Sequence, residues 1–212
     1  VLLANIPQNK LQSTVVSGLT IRTQTPGSTG IQMQSAYATI EDNTISVSSG
    51  SIQAGSATAI SVDASYPIIR RNFIRAMNAW NTSGSTGIAI TNNGRPEITN
   101  NIILAFGYSD NYSYGISHNN LSSSLISNNL LLTHHSTIPL FSVNATNSVV
   151  ITNNMFVLQR KFPLASTTTE AIGELNSTTN SPRSVENNAF WPVVADISLF
   201  YYLDRPGSGI FR

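Results

Sequence analysis

The chain contains no cysteine. Neither a disulfide framework nor a thiolate metal site is open to it, and thiol usage says nothing about redox compartment. Charge is scarce too. Only 10% of the 212 residues are Asp, Glu, Lys or Arg, and the net charge is +1, where an ordinary soluble domain is about a quarter charged. That leaves no basic footprint for nucleic acid, so no nucleic-acid partner is expected. No apolar run approaches the about 18 residues of a membrane-spanning helix, so no membrane span is expected. No segment carries a convincing 3.6-residue period, which argues against helices. The sequence starts at Val1 without a signal peptide, as expected of a mature product or of a piece of a longer protein.

What is present is apolar and neutral-polar. Hydrophobic residues make up 41% of the chain, enough for a real core and too many for a disordered chain. Asn, Ser and Thr supply most of the polarity. Neutral hydrogen-bonding groups suit a stacked β architecture, where like charges layered a few ångströms apart would repel. N-x-S/T sequons fall at Asn81, Asn111, Asn120, Asn144 and Asn176. That is about as many as chance supplies in so Asn-, Ser- and Thr-rich a chain.

One phrase recurs. "ATIEDNTI", "PIIRRNFI", "EITNNII", "LISNNLL", "VITNNMF" and "SVENNAF" align on Asn43, Asn72, Asn101, Asn129, Asn154 and Asn188. The spacing is 29, 29, 28, 25 and 34 residues. Three positions before each Asn stands Ile40, Ile69, Ile98, Ile126, Ile151 or Val185. Two positions after it stands Ile45, Ile74, Ile103, Leu131, Phe156 or Phe190. A further strand-like segment precedes each phrase, as in "GIQMQ", "AISVD", "GIAIT", "GISHN" and "LFSVN". Each repeat therefore holds three short alternating strands separated mostly by Gly, Ser, Asn and Pro. The period also suits leucine-rich repeats, but their L-x-x-L-x-L frame and helical return are missing. Three strands per repeat and no helix predict an all-β fold: a single right-handed parallel β-helix of about six or seven rungs.

These repeats resemble those of the pectin-lyase-like β-helix superfamily, including phage tailspikes and bacterial surface proteins, over residues 12–192. The resemblance implies a variable turn between the first two strands, a tight turn with an inward asparagine ladder before the third, and a long return loop. Residues 1–11 are then expected to form an N-terminal cap and 193–212 a C-terminal tail. The six aligned asparagines become ladder residues, tolerating left-handed dihedrals at a sharp bend. Their amides would bond one another along the column, a structural role in preference to a catalytic one.

The same alignment stacks Glu41 on Arg70 and Asp42 on Arg71, which predicts cross-rung ion pairs. His118 falls at an inward position, in a column with Ile90 and Val143, as a core histidine. His134 and His135 read as a surface loop, and no metal or other cofactor is expected. "NNGRPE" at 92–97 resembles the arginine-proline pairs of pectate lyases, but the surrounding pattern is absent. The acids are scattered, and glycoside hydrolysis needs two carboxyls within about 5–9.5 Å. No catalytic residue is assigned.

Two surfaces stand out. Trp80, Tyr108, Tyr112 and Tyr114, with Asp63 and Asp110, are candidate glycan-binding residues on the loop face, because aromatic rings stack on sugar faces. In the third strand the outward positions, normally polar, are Phe73, Ile102, Leu104, Leu130, Leu132, Met155 and Val157. A stripe that size is expected to be covered by the tail "WPVVADISLFYYL", by a symmetry mate or by an assembly partner. The expected function is a non-enzymatic extracellular, cell-surface or virion β-helix, structural or adhesive, with a polysaccharide and a protein or second copy as partners. The alternative is a polysaccharide lyase or glycoside hydrolase of the pectinase or tailspike type.

Overall fold

A computed structural model describes residues 1–8, 14–50, 55–78, 84–107, 113–119, 122–135, 137–143, 149–159, 169–175, 184–192 and 197–202. Every described strand pairs in parallel with its equivalent one repeat away. Three sheets result, of eight, seven and seven strands, each visited once per repeat in fixed order. The molecule is a parallel β-solenoid. Its regular body is five coils, from strand Thr29–Gln34 to strand Met155–Gln159. A shorter coil precedes it, built from Leu2–Ala4, Thr14–Ser17 and Thr20–Thr23, and another follows through Ala189–Pro192. No helix in the described residues is long and apolar enough to cross a membrane.

The boundaries are wider than the repeat suggests. Leu2–Ala4 is already a strand of the first sheet, paired with Gln32–Gln34. Ile197–Tyr202 is the eighth strand of that sheet, paired with the Thr169–Leu175 strand. Residues 197–202 thus continue the first sheet.

The core is a set of columns. Ile40, Ile69, Ile98, Ile126 and Ile151 are fully buried one above another, and Ile45, Ile74, Ile103, Leu131 and Phe156 form the facing column. Each fully buried side chain contributes roughly 1.5–3 kcal/mol. β-branched Ile also fits the pleat of a strand. The inner walls approach closely at the first sheet. A Cβ placed on Gly87 would lie 2.5 Å from the Gly115 carbonyl oxygen and 2.7 Å from Ile103 Cγ2, so only glycine fits there.

The recurring "NN" divides its work. The first residue of the pair carries the bend: Asn100, Asn128, Asn153 and Asn187 have φ between 55° and 57°, as do Asp42 and Arg71 at 56° and 55°. The second residue, the aligned ladder asparagine, is not left-handed. This corrects the expectation that the ladder residues themselves occupy that region. Turning inward, each one donates from Nδ2 to the Oδ1 of the next: Asn43 to Asn72, Asn72 to Asn101, and on to Asn188, all at 3.0 Å. The same Oδ1 accepts the backbone N–H of the residue before it in the column, as in Asn72 N to Asn101 Oδ1 at 2.9 Å. Nδ2 also donates to a carbonyl of the preceding coil, as Asn101 does to Ile69 at 2.9 Å. A bend buried inside the coil would otherwise strand these groups.

Candidate functional site

The parallel register places the third sheet's outward residues in straight columns; beyond two that run the length of the sheet lies a third, Ser48, Met77, Phe106 and His134. Of the full-length two, one runs Thr20, Thr44, Phe73, Ile102, Leu130, Met155, Ala189. The other runs Arg22, Ser46, Arg75, Leu104, Leu132, Val157, Trp191. Alternation along each strand turns these side chains away from the core. Ile103 is buried while Ile102 is 43% exposed, and Phe73, Met155 and Trp191 are 38%, 42% and 62% exposed. Leu104, Leu130, Leu132 and Val157 are half-buried among their own neighbours. The stripe expected from the sequence is therefore present and faces outward from the chain.

The described residues of the tail do not cover it. Trp191 is itself the last rung of the second column, paired with Val157, and residues 197–202 lie in the first sheet. The expectation that 191–203 folds back over the stripe fails because both of its strands find a parallel edge to join. A strand joining an exposed ladder satisfies its backbone donors and acceptors, which packing on a side-chain face cannot do.

Beside the stripe, the bend asparagines make a polar margin. Asn128, Asn153 and Asn187 border a shallow open depression of about 440 Å³ whose other wall is Leu130, Met155 and Ala189. The face thus passes from neutral amides to bare hydrocarbon within one residue.

Of the expected glycan residues, only Asp63 and Tyr114 fall among the described residues, and those two lie apart. Trp80, Tyr108, Asp110 and Tyr112 lie outside the described residues. Tyr114 is not in a loop: it sits within strand Ser113–Asn119 of the first sheet, paired with Thr86 and Ile138. Asp63 ends strand Ala57–Asp63, two coils away and beside Thr91. Its Oδ1 accepts from Asn92 Nδ2 at 2.6 Å and from Thr91 Oγ1 at 3.3 Å, so the carboxylate is held at a corner.

The ion pairs stand as aligned. Arg70 Nε lies 2.7 Å from Glu41 Oε2, and Arg71 Nη2 lies 2.8 Å from both Glu41 and Asp42. Hydrogen bonds from Arg70 and from Arg71 hold the Glu41 and Asp42 carboxyls, respectively, below their usual range. Both arginines are partly exposed, so the cluster is screened and worth little in isolation.

His118 is fully buried. Its column partners are Ile90 and Ser142; the expected Val143 pairs instead with Asn119, one position along. Nε2 lies 2.6 Å from Ser124 Oγ, while Nδ1 meets no partner. Desolvation pushes this imidazole down to about 4. His134 and His135 are not in a loop but end strand Leu130–His135, and the His134 ring lies 5.9 Å from that of Phe106. Among the described residues no three His, Asp or Glu side chains converge.

Two surface features escaped the sequence reading. Tyr37 and Tyr66 stack at 4.9 Å and 9° on adjacent coils. Each precedes its ladder asparagine by six residues, so the repeat alignment already held that pair. Trp191 was hidden because "AFWP" reads as the start of a tail, not as a seventh rung. Comparison of the chain with family models, with curated proteins and with solved structures finds no match.

Proposed function

We propose that this chain is a non-enzymatic β-solenoid of an extracellular surface or a particle surface, with a structural or adhesive role. It binds a protein through the outer face of its third sheet and a glycan through its loop face. The observation that carries the reading is the apolar double column, in which Phe73, Ile102, Met155 and Trp191 stand exposed on a chain otherwise rich in neutral polar side chains. Contiguous apolar surface of that kind is what association faces present.

The carboxylates lend further support to the reading. Glu41 and Asp42 are tied to arginines, Asp63 to Asn92, and Glu186 to the Ser184 hydroxyl at 2.6 Å. A carboxylate already engaged in this way is a poor candidate for the acid or base of a hydrolase. A glycan-array screen followed by a reducing-end assay on each bound glycan tests the reading. Binding without cleavage is expected. New reducing ends would overturn it in favour of a polysaccharide lyase or glycoside hydrolase.

A further inference from the structure

We propose that Asn93 is a modification site, where the side-chain amide cyclises onto the Gly94 nitrogen and then hydrolyses to aspartate and isoaspartate. The rate is set by opening of the corner that carries it, between the first and second sheets and apart from the third-sheet face.

This corner is built differently from the two before it. In those, one residue with positive φ turns the chain, Ser35 at 49° and Ala64 at 45°. Here two do, Asn92 at 50° and Asn93 at 62°, and Gly94 N donates to Thr91 O at 3.0 Å. Two left-handed central residues closed by such a bond make a type I′ turn, which favours asparagine. The residue after them is fixed as well. Gly94 is buried, and a Cβ on it would lie 3.0 Å from Ile90 Cγ2 and 3.1 Å from the Thr91 and Val62 carbonyl oxygens. Turn and packing together place the only Asn-Gly step of the chain on an exposed corner.

Glycine leaves its own nitrogen unshielded, so cyclisation meets least resistance at an Asn-Gly step. The Gly94 nitrogen gives its proton to solvent hydroxide and attacks Asn93 Cγ. The Cγ–Nδ2 bond breaks, and the amide nitrogen leaves as ammonia with a proton taken from water. Water then opens the five-membered imide at either of its carbonyls. Opening at Cγ leaves an aspartate on the original main chain. Opening at the backbone carbonyl leaves an isoaspartate, with the main chain running through Cγ and one carbon longer. The sum is one amide and one water converted to one acid and one ammonia.

The structure acts on both reacting groups. Arg95 Nε and Nη2 donate to Asn93 Oδ1 at 3.2 and 3.1 Å, on the oxygen where charge builds during attack. The nucleophile is held back instead. Its N–H is spent on Thr91 O, and ψ near zero at the second central residue of this turn points the next nitrogen away from Cβ. Reaction therefore waits for the turn to open. Opening is local, because Thr91 O keeps the Ala64 N–H at 3.2 Å and Arg95 N keeps Ser65 O at 2.9 Å. The two products differ in fit. An aspartate carboxylate meets the same Arg95 donors as a charge-assisted pair. The extra main-chain carbon of isoaspartate lies inside the turn and breaks the register of the Gly94–Thr91 bond.

The test incubates the full chain at mildly alkaline pH, folded and in urea. Mass mapping of peptides and methyl labelling by protein isoaspartate methyltransferase locate the products. In the folded chain Asn93 is expected to convert before any other asparagine, with isoaspartate at that position. Conversion is expected to be about ten- to a hundredfold faster in urea, the factor that the net worth of one or two hydrogen bonds gives. The Asn93→Asp variant is expected to melt with the unmodified chain, and the separated isoaspartate form below both. Another asparagine converting first in the folded chain, or equal rates folded and in urea, would overturn the proposal. So would an Asn93 still intact after well over about a hundred times the conversion time in urea. An isoaspartate form that melts with the Asn93→Asp variant would overturn the stated difference between the two products.

Discussion

Replacing Asn101 by alanine removes the centre of the ladder, and the cost follows from its bonds. The side chain donates to Ile69 O at 2.9 Å, Thr99 O at 3.0 Å and Asn129 Oδ1 at 3.0 Å. It accepts from Asn72 N at 2.9 Å and Asn72 Nδ2 at 3.0 Å. Alanine leaves the buried Asn72 N–H with nothing to bond, which costs about 1–3 kcal/mol, and each remaining bond contributes up to about 1 kcal/mol. Asn72 Nδ2 keeps Ile40 O and Arg70 O, and Asn129 Oδ1 keeps the Asn101 N–H, so the losses are partial. The expected total is about 3–5 kcal/mol, a large part of the stability of a typical domain. The neighbouring Asn100 behaves oppositely. It is exposed with φ of 57°, so Asn100→Gly is neutral or stabilising and Asn100→Ala costs about 1 kcal/mol. At the half-buried end of the ladder water replaces part of what is lost, and Asn188→Ala costs about 1–2 kcal/mol. Urea unfolding ranks the four variants. Amide exchange shows whether the Asn101→Ala loss is concentrated in the coils on either side, as nearest-neighbour stacking requires. Equal costs for Asn100→Ala and Asn101→Ala, or for Asn101→Ala and Asn188→Ala, would refute the division of labour.

Three further outcomes follow from the geometry. With His118 held neutral by burial at about 4 against the ordinary 6.5, its stability contribution is complete above pH 6.5 and is lost progressively as pH falls to about 4. The loss is about 3 kcal/mol, because an imidazolium would place an unbonded Nδ1–H in the core. Urea unfolding across that range is expected to show this slope, and His118→Leu to flatten it. The depressed Glu41 and Asp42 carboxyls contribute stability that is fully present above their ordinary range and is lost as pH falls below it through their lowered folded values; Arg71→Gln should remove part of this acid sensitivity, and added salt should weaken it. Gly87→Val forces a side chain against the Gly115 carbonyl and Ile103, and thermal melting is expected to register a loss of about 1–3 kcal/mol.

Much of the molecule was legible in the amino-acid order. The coil spacing, the inward columns such as Ile40 to Ile151, the Glu41–Arg70 and Asp42–Arg71 stacking and the outward apolar stripe all follow from the aligned asparagine. Alternation along a strand and recurrence between coils are local properties, and both are written directly in residue order. Whether the expected glycan-binding residues converge was not legible in the same way, because loop length varies between coils and side-chain convergence there is not periodic.

Tertiary structure alone decided the rest. It showed that the first residue of each "NN" bends the chain and the second carries the ladder, since both are asparagine and only the dihedrals differ. It set His118 over Ser142, one position from the expected Val143, because a loop of altered length intervenes. It sent residues 197–202 to the first sheet, where an unpaired strand edge offers backbone hydrogen bonds that the apolar face cannot. That placement left Phe73, Ile102, Met155 and Trp191 exposed among the described residues, where the sequence pattern had expected residues 191–203 to lie over them.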